Sequence, residues 1–187
     1  PGEEEFTGRG VSYCGTCDGF FTRNKDIHVI GGGDTALEEA IFLTRFAHSV
    51  TVIHRRDELR AGAILEKRAR ANPKISFLWN TVVDEIRGDE KVRSLMVRDV
   101  KTGEKREIPT GAVFVFVGHS PNTSLIEGQI ALDEQGYVKV DAKMSTNIPG
   151  VFAAGEIADP HYRQVVTSAG MGAAAAISAT YYLENLE

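Results

Sequence analysis

The stretch Ile27-His28-Val29-Ile30-Gly31-Gly32-Gly33-Asp34-Thr35-Ala36 decides how the rest of the chain is read. Its first four residues form a short apolar run that reads as a buried strand, and three glycines stop it. From Asp34 the period changes. Ala36, Leu37, Ala40, Ile41 and Thr44 recur at helical spacing, with Glu38 and Glu39 early and Arg45 late, as the helix dipole favours. Gly31 to Ala36 fits G-x-G-x-x-A between that strand and that helix, the pattern of a dinucleotide-binding turn. Gly31 permits the tight turn, Gly33 lets the backbone approach a pyrophosphate, and Ala36 lets the helix close on the strand. The helix start, Asp34 and Thr35, offers free N–H groups to phosphate.

Working outward, Val50-Thr51-Val52-Ile53 is a second strand, Glu58 to Ala71 a second helix ended by Asn72-Pro73, and Ile75 to Trp79 a third strand. Strand, helix, strand, helix, strand predicts an α/β fold with a doubly wound parallel sheet. Thr81–Ile86, Val92–Val100 and Lys105–Ile108, with turns at Gly88-Asp89 and Thr102-Gly103, predict an antiparallel β-meander packed on one face of that sheet. Val113 to Val117 is wholly apolar and returns as a buried strand. Gly118-His119-Ser120-Pro121-Asn122 then breaks the chain as a hinge. Residues 1–118 are expected to form one domain. Residues 119–187 are expected to be the C-terminal part of a second α/β domain, with strands at Tyr137–Val140 and Val151–Ala154. A helix from Gln164 to Leu186 follows, with a small-residue face at Ala169, Gly172, Ala173 and Ala176. That segment is short for a domain standing alone.

The 187 residues are 42% hydrophobic and 25% charged, which excludes disorder as the main state. Lys plus Arg is 21 against 26 for Asp plus Glu, a formal charge of −5, so nothing points to nucleic acid. Two cysteines are too few for a disulfide-rich secreted scaffold. No apolar run approaches the ~18 residues of a membrane span, and Pro1-Gly2-Glu3-Glu4-Glu5 is no signal peptide. The expectation is a soluble, cytoplasmic protein without membrane contact.

The end of the second strand sharpens the nucleotide reading. An NAD site usually places an acid there for the ribose 2′-hydroxyl. Here the place holds His54, Arg55 and Arg56, with Arg60 one turn on. Cations near a helix start oppose its dipole, and an anion between them removes the conflict. A 2′-phosphate would take charge-assisted hydrogen bonds of about 1.5–3 kcal/mol each, so NADP is expected rather than NAD.

Cys14-Gly15-Thr16-Cys17 is followed by Asp18. A C-x-x-C pair serves a redox dithiol, half a zinc site or a short structural disulfide. Zinc lacks further ligands, since no other Cys exists and the five His show no paired spacing. A two-residue disulfide loop constrains little. The redox dithiol is the preferred reading. A free thiol is about 3% thiolate at pH 7, and about half if its pKa falls to 7. Asp18 stands where it can give or take a proton beside Cys17. Nicotinamide moves a hydride, whereas thiols exchange through sulfur attack, and a flavin commonly bridges the two. The pieces of a flavin site are Ile148 to Asp159, where Glu156 could bond a ribityl hydroxyl, and Tyr162-Arg163-Gln164 at a helix start.

Cys14 to Gly19, Gly31 to Ala40, His54-Arg55-Arg56-Asp57, Gly118 to Thr123 and Tyr162-Arg163-Gln164 together resemble the bacterial-type, low-molecular-weight thioredoxin reductase family, in the family's order along essentially the whole chain. The resemblance implies that FAD and NADPH are the cofactors. Arg55, Arg56 and Arg60 would hold the 2′-phosphate. Cys17 would be the sulfur nearest the flavin, Cys14 the sulfur that attacks thioredoxin, and Asp18 the acid/base. Glu156, Ile157, Asp159, Arg163, Gln164 and Val165 would line the flavin. It also implies a homodimer whose NADPH-and-dithiol domain rotates on the hinge in each turnover.

Three departures from the family pattern stand out. Gly15 replaces a more usual Ala, which loosens the loop. Glu156 replaces a more usual Asp, a longer acid that could still reach. No N-terminal flavin-binding βαβ unit with its own G-x-G-x-x-G precedes Cys14, which implies roughly a hundred residues fewer than the family pattern. The alternatives are an NADP-binding piece without catalysis, or a related flavoprotein that reduces a peroxiredoxin or serves as a small-molecule dithiol oxidase. A ferredoxin–NADP reductase of similar fold would have no need of Cys14 and Cys17.

Overall fold

A computed structural model describes residues 1–186, which fall into two compact units, Pro1–Val117 and the residues from Gly118 onward. In the first unit the strands are β1 (Val11–Ser12), β2 (Asp26–Gly31), β3 (Ser49–Ile53), β4 (Ile75–Leu78), β5 (Thr81–Gly88), β6 (Val92–Asp99), β7 (Lys105–Pro109) and β8 (Val113–Phe116). Its helices are α1 (Gly15–Asp18), α2 (Asp34–Leu43) and α3 (Ala63–Ala71). The sheet order is β1-β8-β2-β3-β4, all parallel, with Val29 beside Phe114 and Ile30 beside Ile53. A separate antiparallel sheet runs β5-β6-β7. The fold is the expected α/β class, a parallel sheet with a meander.

Strand alternation divides the core in two. Successive residues point to opposite faces. Ile27 and Val29 of β2, with Phe114 and Phe116 of β8, pack against Ala36, Leu37, Ala40 and Leu43 of α2. Val113 and Val115 of β8, with Ile53 of β3, face the other way and pack against Ile86, Leu95 and Val97 of the meander, and Phe6 joins them. Each fully buried aliphatic or aromatic side chain contributes about 1.5–3 kcal/mol. The meander therefore covers a sheet face that water would otherwise wet.

The second helix starts at Ala63, not Glu58. Residues 58–62 are drawn out of helical geometry by contacts far along the chain. Arg60 N–H donates to the Gly32 carbonyl at 2.8 Å. Gly62 N–H donates to Asp34 Oδ1 at 2.7 Å. The expected third strand stops at Leu78, and Asn80 takes the left-handed region at φ 51°.

In the second unit, helix α4 (Val165–Glu184) stands near its expected place, with Gln164 as N-cap. None of its residues is buried among the described residues. The strands expected at Tyr137–Val140 and Val151–Ala154 do not form. Only isolated bridges occur there, Leu132 with Val138 and Ser145 with Phe152. The cause is local competition for backbone donors. Asp133 Oδ1 accepts from Gln135 and Tyr137 N–H, and Asp141 Oδ1 accepts from Lys143 and Ser145 N–H. These turns take the donors that a ladder would use. No helix among the described residues is long and apolar enough to cross a membrane.

His28 on β2 is buried, with Nδ1 at 2.9 Å from Thr110 Oγ1. Burial lowers its pKa to about 4, against the weaker opposing pull of Asp26. A lowered histidine pKa means that the unfolded chain binds the proton first. Its contribution is complete above pH 6.5 and is lost as pH falls from 6.5 towards 4. Replacing His28→Gln is expected to shrink the stability difference between pH 7.5 and pH 5 by about 2 kcal/mol in urea denaturation. An unchanged difference would contradict the burial assignment.

Candidate functional site

The three glycines that end β2 differ in what surrounds them. At Gly31, φ is +154°, and a Cβ would lie 2.5 Å from the Phe116 carbonyl oxygen and 2.7 Å from Ala36 Cβ. Residue 31 must be glycine because β2, β8 and α2 converge there. A Cβ on Gly32 would strike the His54 ring at 2.3 Å. Gly33 has nothing within 4 Å of that position and is the N-cap of α2. The open space therefore lies at Gly33, beside the amides of Asp34 and Thr35 at the helix start. A phosphate fits a cradle of this kind.

A cleft of about 520 Å³ opens at the carboxyl ends of β2, β3 and β8, where α/β sheets bind ligands. Gly31, Gly32, His54, Arg55 and Arg60 line it, with Thr81 and Asp84 from the meander. Arg55, Arg56 and Arg60 are exposed, and none is in an ion pair among the described residues. Arg56 is not in the lining. The next residue, Asp57, is paired with Lys101 of the meander at 2.7 Å. His54 differs from its arginine neighbours. It is buried, and its pKa is lowered, first by loss of solvent and further by Arg60 and Arg56, against backbone hydrogen bonds that raise it. Its neutral ring is a wall behind Gly32 rather than a cation for phosphate.

The same unit carries Cys14 and Cys17 as a disulfide around α1. Cys17 N–H donates to Cys14 Sγ at 3.1 Å. Gly15 is buried, and a Cβ there would meet Glu39 Oε2 at 2.0 Å, so the absent side chain makes room for Glu39 of α2. Asp18 Oδ2 accepts from Ser12 Oγ at 2.7 Å, and Ser12 Oγ accepts from Cys14 N–H at 3.1 Å. Buried Ser12 thus ties the backbone of one cysteine to the carboxylate beside the other. The sequence reading missed it. The only signal was a small polar residue in a strand otherwise packed inside. It also missed Phe20 and Phe21, which are 56% and 70% exposed immediately after the cysteine turn. The signal there was an aromatic pair in a segment too short to bury it.

In the second unit a smaller pocket of about 320 Å³ is lined by Glu156, Ile157 and Arg163 with His119, Asn122 and Tyr137. Asp159 does not line it. Its buried carboxylate accepts N–H bonds from His161, Tyr162 and Arg163 at 2.9, 2.9 and 3.0 Å. Burial pushes its pKa up, but those bonds and that of Thr167 outweigh it and hold the group below the ordinary range. The bonds fix Arg163 at φ 49° and bring its guanidinium to 3.0 Å from His119 Nδ1. Gln164 and Val165 lie at the start of α4, outside the pocket lining.

Trp79 is the single tryptophan of the chain, and its ring meets His54 edge-on at 6.4 Å. Gly32 stands against the His54 ring, so a nucleotide bound beside Gly32 would alter the surroundings of Trp79 through that ring. Trp79 emission is therefore expected to change on titration with NADP⁺, saturating at one equivalent. Binding seen by calorimetry with no change in emission would place the nucleotide elsewhere.

The chain is similar to known proteins in sequence and in fold. A thioredoxin reductase of Streptomyces coelicolor is 54% identical over 187 residues, covering 100% of this chain and 58% of that one. A Mycobacterium leprae protein named as a bifunctional thioredoxin reductase/thioredoxin is 52% identical over 184 residues, covering 98% of this chain and 40% of that one. The crystal structure of thioredoxin reductase from Streptococcus pyogenes superposes with a TM-score of 0.94 at 48% identity, over 99% of this chain and 61% of that one. The chain thus spans about three fifths, or less, of the length of these relatives. The family description that matches residues 1–172 is that of the pyridine nucleotide-disulphide oxidoreductases, and the chain belongs to that family.

Proposed function

We propose that the chain is the NADPH-binding and redox-disulfide portion, with part of the flavin portion, of a flavoprotein disulfide reductase that reduces thioredoxin. The observation that carries this reading is that one compact unit holds both the Cys14–Cys17 disulfide and the glycine cleft lined by Arg55 and Arg60. Gly31 lines the cleft, Gly33 with the amides of Asp34 and Thr35 at the start of α2, outside that lining, would take the pyrophosphate, and buried Ala36 lets α2 close on Gly31. Arg55, Arg56 and Arg60 supply the cations for a 2′-phosphate, with neutral His54 behind them. Glu156, Ile157 and Arg163 supply part of a flavin wall, which Asp159 shapes from behind and Gln164 and Val165 extend at the start of α4. FAD, when bound, converts the hydride of NADPH into an electron pair that thiol chemistry can use.

The residues of this chain do the rest. Two electrons and two protons open Cys14–Cys17 to a dithiol. The Cys14 thiolate attacks one sulfur of the acceptor disulfide, and the other acceptor sulfur leaves with a proton. The Cys17 thiolate then attacks Cys14, which restores the internal disulfide and releases the second acceptor thiol. Asp18, oriented by Ser12, accepts and returns the proton at Cys17. Phe20 and Phe21 offer the acceptor an apolar contact beside the sulfurs. The mycobacterial relative named as a reductase joined to thioredoxin supports thioredoxin as that acceptor. The same reading places the intact protein in the cytoplasm as a homodimer. For the chain alone a second reading is NADP binding without turnover, favoured by the absence of buried residues along α4.

The exchange half of this scheme is open to test in the chain itself. Reduced Cys17→Ser protein is expected to trap, through Cys14, a thioredoxin whose one remaining active-site cysteine is activated as a mixed disulfide with an aromatic thiol. That thiol departs and leaves no second thioredoxin thiol to reverse the bond, and the complex is seen by mass spectrometry under non-reducing conditions. Cys14→Ser protein is expected to trap none. Trapping by Cys14→Ser alone would reverse the roles of the sulfurs, and trapping by neither would remove thioredoxin as acceptor.

A further inference from the structure

Two hydrogen bonds join the glycine loop to the arginine loop. Arg60 N–H donates to the Gly32 carbonyl at 2.8 Å, a contact between backbones that needs no particular side chain. Gly62 N–H donates to Asp34 Oδ1 at 2.7 Å, and this contact depends on the residue at 34. Asp34 opens α2, and Gly62 is the N-cap of α3, where no side chain of α3's own cap makes a hydrogen bond. One carboxylate thus spans 28 residues of sequence and fastens the start of one helix to the start of the next.

We propose that Asp34 is a positioning residue for NADP: by holding the Gly62 amide, its carboxylate sets the distance between the pyrophosphate cradle at Gly33 and the 2′-phosphate cation Arg60. The inference rests on the NADP reading of the cleft and goes beyond it. A carboxylate at the first residue of α2 stands near the place of a pyrophosphate, where two negative charges repel. Its charge is better engaged by an amide at the N-terminal end of α3, which carries partial positive charge. The stretch before Gly62 is held elsewhere by Arg60 N–H on the Gly32 carbonyl, by Asn80 N–H on the Arg56 carbonyl and by the Asp57–Lys101 pair, while the Asp34 carboxylate holds it at Gly62, where α3 begins. Ordering a free backbone costs conformational entropy. A loop already anchored at Gly62 avoids part of that cost when Arg60 meets phosphate. NAD lacks the 2′-phosphate and gains little from the same anchor. The effect of Asp34 is therefore felt in the ratio of the two affinities, not in both equally.

The donor can be removed as well as the acceptor. Gly62 has φ −61° and ψ 144°, angles that proline adopts, and proline has no N–H. Calorimetric titration of NADP⁺ and NAD⁺ is made with the unaltered chain, Asp34→Ala, Asp34→Asn and Gly62→Pro, each checked for an unchanged melting profile. Asp34→Ala and Gly62→Pro are expected to lower the NADP⁺ to NAD⁺ affinity ratio about tenfold each. The double variant is expected to lower it no further, because both remove one contact. Asp34→Asn keeps an oxygen that accepts the bond and is expected to hold the ratio within about threefold. Where Asp34→Ala fails to fold, Gly62→Pro alone decides. A ratio unchanged in the folded variants would overturn the positioning role, and so would equal loss of both nucleotides. Absence of any NADP⁺ preference in the unaltered chain would overturn the NADP reading and this proposal with it.

Discussion

At Gly31 a strand end, a neighbouring carbonyl and a helix meet within the radius of one missing methyl group. A Cβ there would lie 2.5 Å from Phe116 O and 2.7 Å from Ala36 Cβ. Without it, β2 can run against β8 and release the chain into α2 through the two-residue turn Gly32-Gly33. The start of α2 then lies over the sheet end, Gly33 faces open space, and Gly32 is left against the His54 ring. The cleft, its helix-start amides and its flanking arginines all follow from that closeness. The hydrophobic burial of Ala36, Leu37, Ala40 and Leu43 holds α2 in the same orientation from below.

The redox pair relies on the same helix from another side. Gly15 leaves room for Glu39 of α2, so the turn that carries Cys14 and Cys17 is seated against the helix that follows the glycine loop. Ser12, on the strand that extends the parallel sheet, links the Cys14 backbone to Asp18. These are short-range contacts within one unit. They give a physical reason why the cysteine pair and the glycine loop occupy adjacent parts of one sequence.

Much of this was legible from the sequence. The change from strand to helix period at Ile30–Asp34 and the apolar runs at Val50–Ile53 and Val113–Val117 place the parallel sheet correctly, because buried strands and amphipathic helices leave strong periodic marks. What was not legible depended on partners distant in the chain or on side chains competing with backbone. Glu58–Gly62 has helical composition, yet Gly32 and Asp34 take its amides. Tyr137–Val140 has strand composition, yet Asp133 captures the donor at Tyr137. Asp159 has the look of a ligand-facing acid, and its oxygens close a loop instead. Ser12 carries no periodic mark at all, since its importance comes from a single proton placed between two other residues.

The central claim is that the cleft at Gly31–Gly33 selects a nucleotide by its 2′-phosphate. Exposed arginines give charge-assisted hydrogen bonds weakened by solvent, so discrimination of about tenfold to a hundredfold is the physical expectation. The most direct measurement is the calorimetric affinity of the unaltered chain for NADP⁺ and for NAD⁺ at one ionic strength, repeated with Arg55→Ala, Arg56→Ala and Arg60→Ala together. The account predicts tighter binding of NADP⁺ by at least about tenfold, and near-equal binding in the triple variant. Equal affinities in the unaltered chain, or a preference that survives loss of all three arginines, would contradict it.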